Sequence, residues 1–208
     1  KVSMNIFENN LKIFPNSQLM YPNDNLIRLF AGNKYVNLPQ PPAKLMDHGF
    51  GHGNNLAYFT SLGYDCSGCE ISENYIDVVN KLYEDNDKTI DLRKITGLEL
   101  PYGDNEFDIV VSWSAIYFNG NRDDTQFVIN ELHRIIKPGG SLLLSSVHPD
   151  TTLYKHCKKI GHESYIVDTD KYSNLKGTHY FFPDSEDSFV KLFRKFSNVT
   201  PGDYSFNL

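Results

Sequence analysis

Strand-like and helix-like segments alternate from Lys44 to Ser146, and this alternation constrains the fold more than any other feature. The strand-like segments are short apolar runs, such as Phe107–Ser112, of the kind that a parallel sheet buries on both faces. The helix-like segments carry apolar residues at helical spacing, as in Asp124–Ile136, where the residues expected on the apolar side are Phe127, Val128, Leu132, Ile135 and Ile136. Gly63 is expected to end the helix after the first strand, and Ser72 can cap the helix after the second. The fifth strand is expected over Ser141–Ser146. Such units join by right-handed crossovers, so the sequence predicts an α/β fold with a doubly wound, mostly parallel sheet and helices on both faces.

A proline-rich stretch from Leu38 to Pro42 separates a polar N-terminal segment from the main body of the chain. Proline fixes φ and removes a backbone donor, so it marks a boundary between elements. Residues 1–42 are expected to form an N-terminal lid segment with helical pieces around Ile6–Ile13 and Asn25–Gly32. Residues 43–208 are expected to form the main domain of a chain that is a single domain overall.

The chain changes character after Val147, where β-forming residues surround a polar turn between positions 160 and 182. This pattern predicts a hairpin or lid. A helix is expected over Ser185–Phe196, with Ser185 as its cap, and a strand over Asn198–Leu208. The last strand that commonly closes sheets of this type is expected to be absent.

Bulk properties favour a single globular domain that works in the cytoplasm. The 208 residues include three cysteines, carry a net charge of −6 and contain no run of about 18 apolar residues. A nucleic-acid partner and a membrane span are therefore not expected. Cys66 and Cys69 lie in one strand at odd spacing, so their side chains face opposite ways and no metal site is expected.

The turn Asp47-His48-Gly49-Phe50-Gly51-His52-Gly53 follows the first strand of the main body and precedes a helix. In open α/β sheets, ligands bind beyond the carboxyl ends of the strands, and alternate glycines let backbone approach a ligand closely. Glu70, at the end of the second strand, can accept hydrogen bonds from ribose hydroxyls. The sixth position of a dinucleotide fingerprint holds Asn54 instead of glycine, which weakens the nicotinamide interpretation without removing it.

Four segments together resemble the motifs of class I S-adenosylmethionine-dependent methyltransferases of the methyltransferase type 11-like family: Leu45–Asn54, Ser67–Ser72, Leu100–Val110 and Glu131–Leu142. The resemblance implies a Rossmann-like methyltransferase fold, with S-adenosylmethionine as cofactor and S-adenosylhomocysteine as product. It also implies cofactor contacts by Asp47, Gly49, Phe50, Gly51, Glu70, Ile71, Thr96, Gly97 and Ser112. Many relatives carry an aspartate before the Leu-Pro pair, where this chain has Thr96 and Gly97.

The acceptor side is less specific. His148, directly after the fifth strand, is the expected general base or substrate contact, because its ordinary pKa suits proton transfer near neutrality. Trp113 and Tyr117 are expected to wall the substrate pocket, whereas His48 and His52 are expected to pack. The Asn/Asp-Pro-Pro-Tyr motif of amino-methyltransferases does not follow the fourth strand.

The N-terminal segment places Tyr21 and Arg28 close together, and Arg28 can bind an anionic group through a bidentate contact. This segment and the turn around His148 resemble, loosely, bacterial enzymes associated with surface-polysaccharide modification. We therefore expect methyl transfer to an oxygen of a small polar acceptor that is sugar-linked or contains phosphate. The alternatives are a nicotinamide-dependent oxidoreductase and a non-catalytic, methyltransferase-like binding subunit.

Overall fold

A computed structural model describes residues 22–32, 36–148, 150–172 and 175–202. The central sheet contains five strands: β1 (Lys44–His48), β2 (Asp65–Glu70), β3 (Asp91–Lys94), β4 (Phe107–Ser112) and β5 (Ile136–Leu144). The helices are α1 (Asp24–Gly32), α2 (Asn54–Ser61), α3 (Glu73–Glu84), α4 (Arg122–Ile135) and α5 (Glu186–Val190). Among these residues, no helix combines the length and the apolar character that crossing a membrane requires.

The strand order of the central sheet is β3-β2-β1-β4-β5, and every neighbouring pair is parallel. The chain winds outward from β1 to β3, returns to β4 beside β1, and then continues to β5. This arrangement confirms the doubly wound sheet and places the reversal of strand order between β1 and β4. One face buries Met46, Val110 and Leu132, and the other face buries Leu45 and Ile109.

Helix α1 confirms the helix predicted over Asn25–Gly32. Its Leu26 is fully buried and shares a hydrophobic cluster with Phe59 and Tyr64. The backbone N–H of Asn23, just before the helix, donates to Oδ1 of Asn55 in α2. The helical piece predicted over Ile6–Ile13 lies outside the described residues.

Helix α4 begins two residues before its predicted start, because the side chain of Asn121 accepts a hydrogen bond from the N–H of Asp124 and caps the helix. The prediction that Phe127 lies on the apolar side was wrong. Phe127 is 42% exposed, while Ile129 is buried. Strand β5 starts at Ile136, earlier than predicted, through an irregular register beside β4.

The loop from β2 to α3 is held differently from the prediction. Ser72 stands at the N-cap position of α3, but its side chain makes no capping hydrogen bond. The carboxylate of Glu70 accepts the backbone N–H of Ser72 instead. Gly63 has a φ of 90° and ends α2 as predicted.

Three further strands form a separate antiparallel sheet in the order β6 (Cys157–Gly161), β7 (Ser164–Val167) and β8 (His179–Phe181). Tyr180 of β8 stacks on Tyr117, in the short 3-10 turn Ile116–Asn119 that follows β4. The second sheet therefore packs against the segment that leaves the end of β4.

The C-terminal predictions were partly wrong. Ser185 caps α5 as predicted, but that helix gives way to a 3-10 turn over Lys191–Phe193 and does not continue to Phe196. Residues 198–202 form no strand, and the rest of the predicted strand Asn198–Leu208 lies outside the described residues.

Candidate active site

A cavity of about 300 Å³ lies at the carboxyl ends of β1, β2 and β4, where the strand order reverses. Its wall combines the ends of these strands, the loop from β3 to β4, the 3-10 turn after β4 and the first half of α4. The lining residues are His48, Gly49, Glu70, Ile71, Ile95, Gly97, Leu98, Leu100, Ser114, Ala115, Phe118, Asn119, Asp124 and Val128. This is the place where doubly wound folds bind ligands.

The glycine turn forms one edge of the cavity. Gly49 and Gly51 have φ values of 71° and 53°, a backbone conformation that side-chain-bearing residues rarely adopt. The N–H of Gly49 donates to the carbonyl of Cys69, and the N–H of Gly51 donates to Oε2 of Glu70. A Cβ on Gly51 would meet nothing within 4 Å. The turn is thus tied to β2 and leaves bare backbone beside open space.

Glu70 is buried at the end of β2, as the sequence predicts for a ribose-binding carboxylate. Its Oε2 accepts from Gly51, and its Oε1 accepts from the N–H groups of Ile71 and Ser72. Burial raises the pKa of Glu70, and these three N–H groups oppose the increase. A carboxylate offers about four acceptor positions, so Glu70 retains capacity for a donor on a ligand.

Asp47 is also buried, one residue before the end of β1. It does not line the cavity itself, but it directly precedes the wall residues His48 and Gly49. Its Oδ2 has no hydrogen-bond partner among the described residues. Burial and, to a lesser extent, the charge of Glu70 raise its pKa well above the ordinary value. An unpartnered buried carboxylate oxygen is costly, and a positively charged donor on a ligand would satisfy it.

One end of the cavity is apolar and is formed by Ile71, Ile95, Leu98, Leu100 and Val128. Gly97 lines this end as well, with open space on the side where a Cβ would stand. Thr96, which the family resemblance assigned to the cofactor, is exposed and lies off the cavity wall. Flat, apolar ligand surface fits this end.

An Arg134–Glu131 pair supports the apolar end from α4, and sequence reasoning missed this role. Oε2 of Glu131 accepts the N–H of Leu100, while Arg134 donates to the carbonyls of Leu100 and Tyr102. The two side chains also bond to each other. Their i, i+3 spacing in the sequence was the available signal.

Polar residues line another part of the cavity. Asp124 lines it from the first turn of α4, where Nδ2 of Asn121 donates to its carboxylate. Ser114, on the wall after β4, has a φ of 59° although it is not glycine. Such conformations cost free energy and often mark functional sites.

His48 lies on the cavity wall, although the sequence predicted only a packing role. Its Nδ1 is 2.9 Å from Oγ of Ser112, and both residues are buried. Burial lowers the pKa of His48 to about 4, so its ring is neutral at physiological pH. Ser112, predicted as a cofactor contact, therefore stands behind His48. His52 lies off the wall and packs edge-on against Tyr75.

Two aromatic residues predicted to wall the substrate pocket lie elsewhere. Trp113 packs against the buried cluster around Leu26, and Tyr117 packs against Tyr180. Phe118, the next residue in the 3-10 turn, lines the cavity instead. The aromatic character of the segment after β4 was predictable, but which ring faces the cavity depends on the turn.

The remaining predicted residues are not assembled at the cavity. Arg28 pairs with Asp24 on the surface, with 79% of its side chain exposed. His148 is half-exposed, and its Nδ1 accepts the N–H of Asp150. Phe50 packs beneath the turn with Leu56, and Tyr21 lies outside the described residues.

Comparison with known proteins decides between the families that a glycine turn alone leaves open. The profile of a methyltransferase domain family matches residues 46–144, which span β1 to β5. The region from β1 to β5 therefore carries a methyltransferase domain. The methyltransferase fold extends over most of the described residues: a methyltransferase structure from Methanosarcina mazei superimposes with a TM-score of 0.64 at 20% identity, covering 86% of this chain and 84% of that one.

Two curated relatives of this chain carry different acceptors in their names. A demethylmenaquinone methyltransferase from Staphylococcus saprophyticus is 32% identical over 64% of this chain and 59% of its own length. A glycine/sarcosine/dimethylglycine N-methyltransferase from Actinopolyspora halophila is 27% identical over 50% of this chain and 19% of its own length. This chain thus spans less than two thirds of either relative, and the match leaves the acceptor open.

Proposed function

We propose that this chain transfers a methyl group from S-adenosylmethionine to a hydroxyl oxygen of a small, polar, sugar-linked acceptor. The observation that carries the proposal is the position of Glu70, a buried carboxylate with unused acceptor capacity between the apolar end of the cavity and the unpartnered Oδ2 of Asp47. Across neighbouring strands, Ile95 follows β3, Glu70 ends β2 and Asp47 lies in β1, which is the order expected for adenine, ribose and the methionine ammonium.

The described residues fit the cofactor. Glu70 would hold the ribose hydroxyls, and Ile71, Leu98 and Leu100 would pack against the adenine. The unpartnered oxygen of Asp47 would receive the ammonium group. When bound, the cofactor supplies a methyl group that its sulfonium sulfur has already activated. The protein must then align the acceptor with that methyl group and exclude water.

The charge of the cavity favours a neutral acceptor. Among the described residues, its wall carries the carboxylates Glu70 and Asp124 and no lysine or arginine. A phosphate group on the acceptor would meet these carboxylates without a compensating cation. Hydroxyl groups can instead donate to Asp124 and exchange hydrogen bonds with Asn119. We therefore favour the sugar-linked acceptor over a phosphate-containing one.

Calorimetry and a transfer assay would test this proposal. S-adenosylmethionine and S-adenosylhomocysteine are expected to bind, and NADH is not. Glu70→Gln should weaken the binding of S-adenosylmethionine and of S-adenosylhomocysteine by at least about tenfold each. Radiolabelled methyl groups should then appear on neutral sugars, as base-stable ethers. Labelling of amines or phosphate esters would contradict the assignment of the acceptor. NADH binding alone would instead support the oxidoreductase alternative.

A non-catalytic binding subunit is the remaining alternative. It predicts that the chain binds S-adenosylmethionine but transfers no labelled methyl group to any sugar, amine or phosphate acceptor that is tested. Transfer to one acceptor, abolished by Glu70→Gln, would exclude it.

A further inference from the structure

The pair formed by His48 and Ser112 lies across the switch point of the sheet. The parallel register pairs Asp47 with Val111, so the next residues, His48 and Ser112, are neighbours where β1 and β4 end. The imidazole Nδ1 lies 2.9 Å from the Ser112 hydroxyl, and His48 also lines the cavity. With Nδ1 bonded to serine, Nε2 is the ring nitrogen left for a ligand.

The position of His48 between β2 and β4 tells which part of the cofactor it would meet. Glu70 marks the ribose at the end of β2, and β1 is the adjacent strand. The sulfonium sulfur is attached to the ribose through a single carbon. A cofactor held by Glu70 and extending towards the segment after β4 would therefore place its sulfur beside the end of β1, where His48 lies.

We propose that His48 lies beside the transferred methyl group and accepts the proton of the acceptor hydroxyl, while Ser112 orients its ring as a positioning residue. This inference rests on the proposed function. In the reaction, the acceptor oxygen forms a bond to the methyl carbon while the carbon–sulfur bond breaks and its electron pair stays on sulfur. The hydroxyl proton moves to Nε2 of His48 and is later lost to water, so charge and atoms balance.

Charge conservation in the cavity explains why a neutral imidazole suits this position. Before transfer the positive charge is on sulfur, and after transfer it is on the imidazolium, so two adjacent positive charges never coexist. The carboxylates of Glu70 and Asp124 line the same cavity as His48 and attract the positive charge in either place. The basicity of the ring rises as the sulfonium charge disappears.

The experiment compares the affinities of S-adenosylmethionine and S-adenosylhomocysteine, which differ by one methyl group and one charge. His48→Arg introduces a permanent positive charge. It is expected to weaken binding of the methionine compound at least about tenfold more than binding of the homocysteine compound. His48→Gln, which is neutral, should leave the ratio of the two affinities unchanged. His179→Arg adds the same charge at an exposed position and should also leave it unchanged.

The outcomes separate this inference from the proposed function. If the unsubstituted protein binds neither compound, the proposed function fails. If it binds both and His48→Arg weakens them equally, His48 does not lie beside the sulfonium and this inference is overturned. Should the arginine variant not fold, ¹⁵N NMR gives the same decision. The His48 signal, identified by its loss in His48→Gln, must then differ between the two complexes.

Measurements of turnover distinguish the role of His48 from that of Ser112. In an assay with a sugar that accepts the radiolabelled methyl group, His48→Gln should lower kcat without changing the KM for the cofactor. Ser112→Ala should lower kcat less, and Ser112→Thr, which keeps the hydroxyl, should restore it. An unchanged kcat in His48→Gln would remove the proton-accepting role, and failure of threonine to restore activity would remove the role of Ser112.

Discussion

A Cβ atom on Gly49 would lie 2.7 Å from the Cβ of Ala115, so the bare backbone of the glycine turn packs directly against the Ala115 side chain in the segment after β4. Gly49 comes from β1 and Ala115 follows β4, and both line the cavity. The contact closes the cavity at the switch point of the sheet. It gives Gly49 a reason to be glycine that is independent of any ligand.

Alanine substitutions should separate the two glycines. Gly51→Ala places a side chain in left-handed backbone with free space around it, and should lower Tm by about 2–8 °C. Gly49→Ala adds the collision with Ala115 and should lower Tm further. Differential scanning calorimetry of the two variants tests the difference. Equal losses would mean that the contact with Ala115 adjusts freely.

Cofactor affinity should depend on pH through Asp47 and Glu70. Both pKa values are raised in the cofactor-free protein. A bound ammonium and ribose hydroxyls favour the ionised carboxylates, so binding releases protons. Affinity should therefore fall as the pH is lowered from neutrality towards the ordinary carboxyl range. Asp47→Asn should flatten this dependence in calorimetric titrations. An equally steep dependence in that variant would assign the effect elsewhere.

The same raised pKa values predict a stability effect without ligand. A raised carboxyl pKa stabilises the folded protein at low pH, and this contribution is lost as the pH rises through the folded-state pKa. Asp47→Asn removes the buried charge, so the variant should gain stability relative to the unsubstituted protein at pH 8 compared with pH 5. Urea unfolding at both pH values measures the gain. A constant difference between the two proteins would contradict the prediction.

Arg134→Lys should loosen the apolar end of the cavity. Lysine cannot reproduce the planar fork that bonds Glu131 and the carbonyls of Leu100 and Tyr102. Because Arg134 is partly exposed, we expect a loss of only about 1–2 kcal/mol in unfolding free energy. Binding of S-adenosylmethionine should weaken as well. Lys81→Ala, which removes a surface pair with Asp85, is the control and should change neither measurement.

Glu163 should anchor the second sheet to α4. Its side chain is fully buried and accepts hydrogen bonds from Arg122 and Ser188. Burial raises the pKa of Glu163. Hydrogen bonds from Ser188, the N–H of Asp184 and Arg122 outweigh this effect, so the pKa lies below its ordinary value. The stability it contributes is therefore present above the ordinary carboxyl pKa and lost as the pH falls through the lowered one.

Arg122→Ala tests this anchor, because it leaves the Glu163 carboxylate buried without its cation. The expected loss in unfolding free energy at pH 7 is up to about 3 kcal/mol. It should shrink in acid, where the carboxyl group of Glu163 is protonated. The exposed pair of Lys176 and Asp170 gives the comparison, since Lys176→Ala should cost little at either pH. A loss that is independent of pH would contradict the role of the charge.

Much of the fold was predictable from local sequence. The apolar runs and the alternation of elements depend on which residues avoid water, and they fixed the type of sheet before any contact was known. Boundaries such as the starts of α4 and β5 were less accurate, because a single side chain, Asn121, and an irregular register decide them. The prediction that Phe127 lies on the apolar side was wrong for a similar reason, because helical spacing alone does not say which edge of the apolar stripe faces solvent.

The sequence by itself determined the doubly wound sheet, the glycine turn after β1 and the acidic residue at the end of β2, since these follow from local patterns and chain order. Tertiary structure alone decided which side chains meet in the cavity. His48 and Ser112 are 64 positions apart and become neighbours only because β1 and β4 pair in parallel. His148, the histidine that sequence reasoning favoured, follows β5 and lies off the cavity wall. Long-range strand pairing, which no local pattern encodes, decides that His48 lines the cavity and His148 does not.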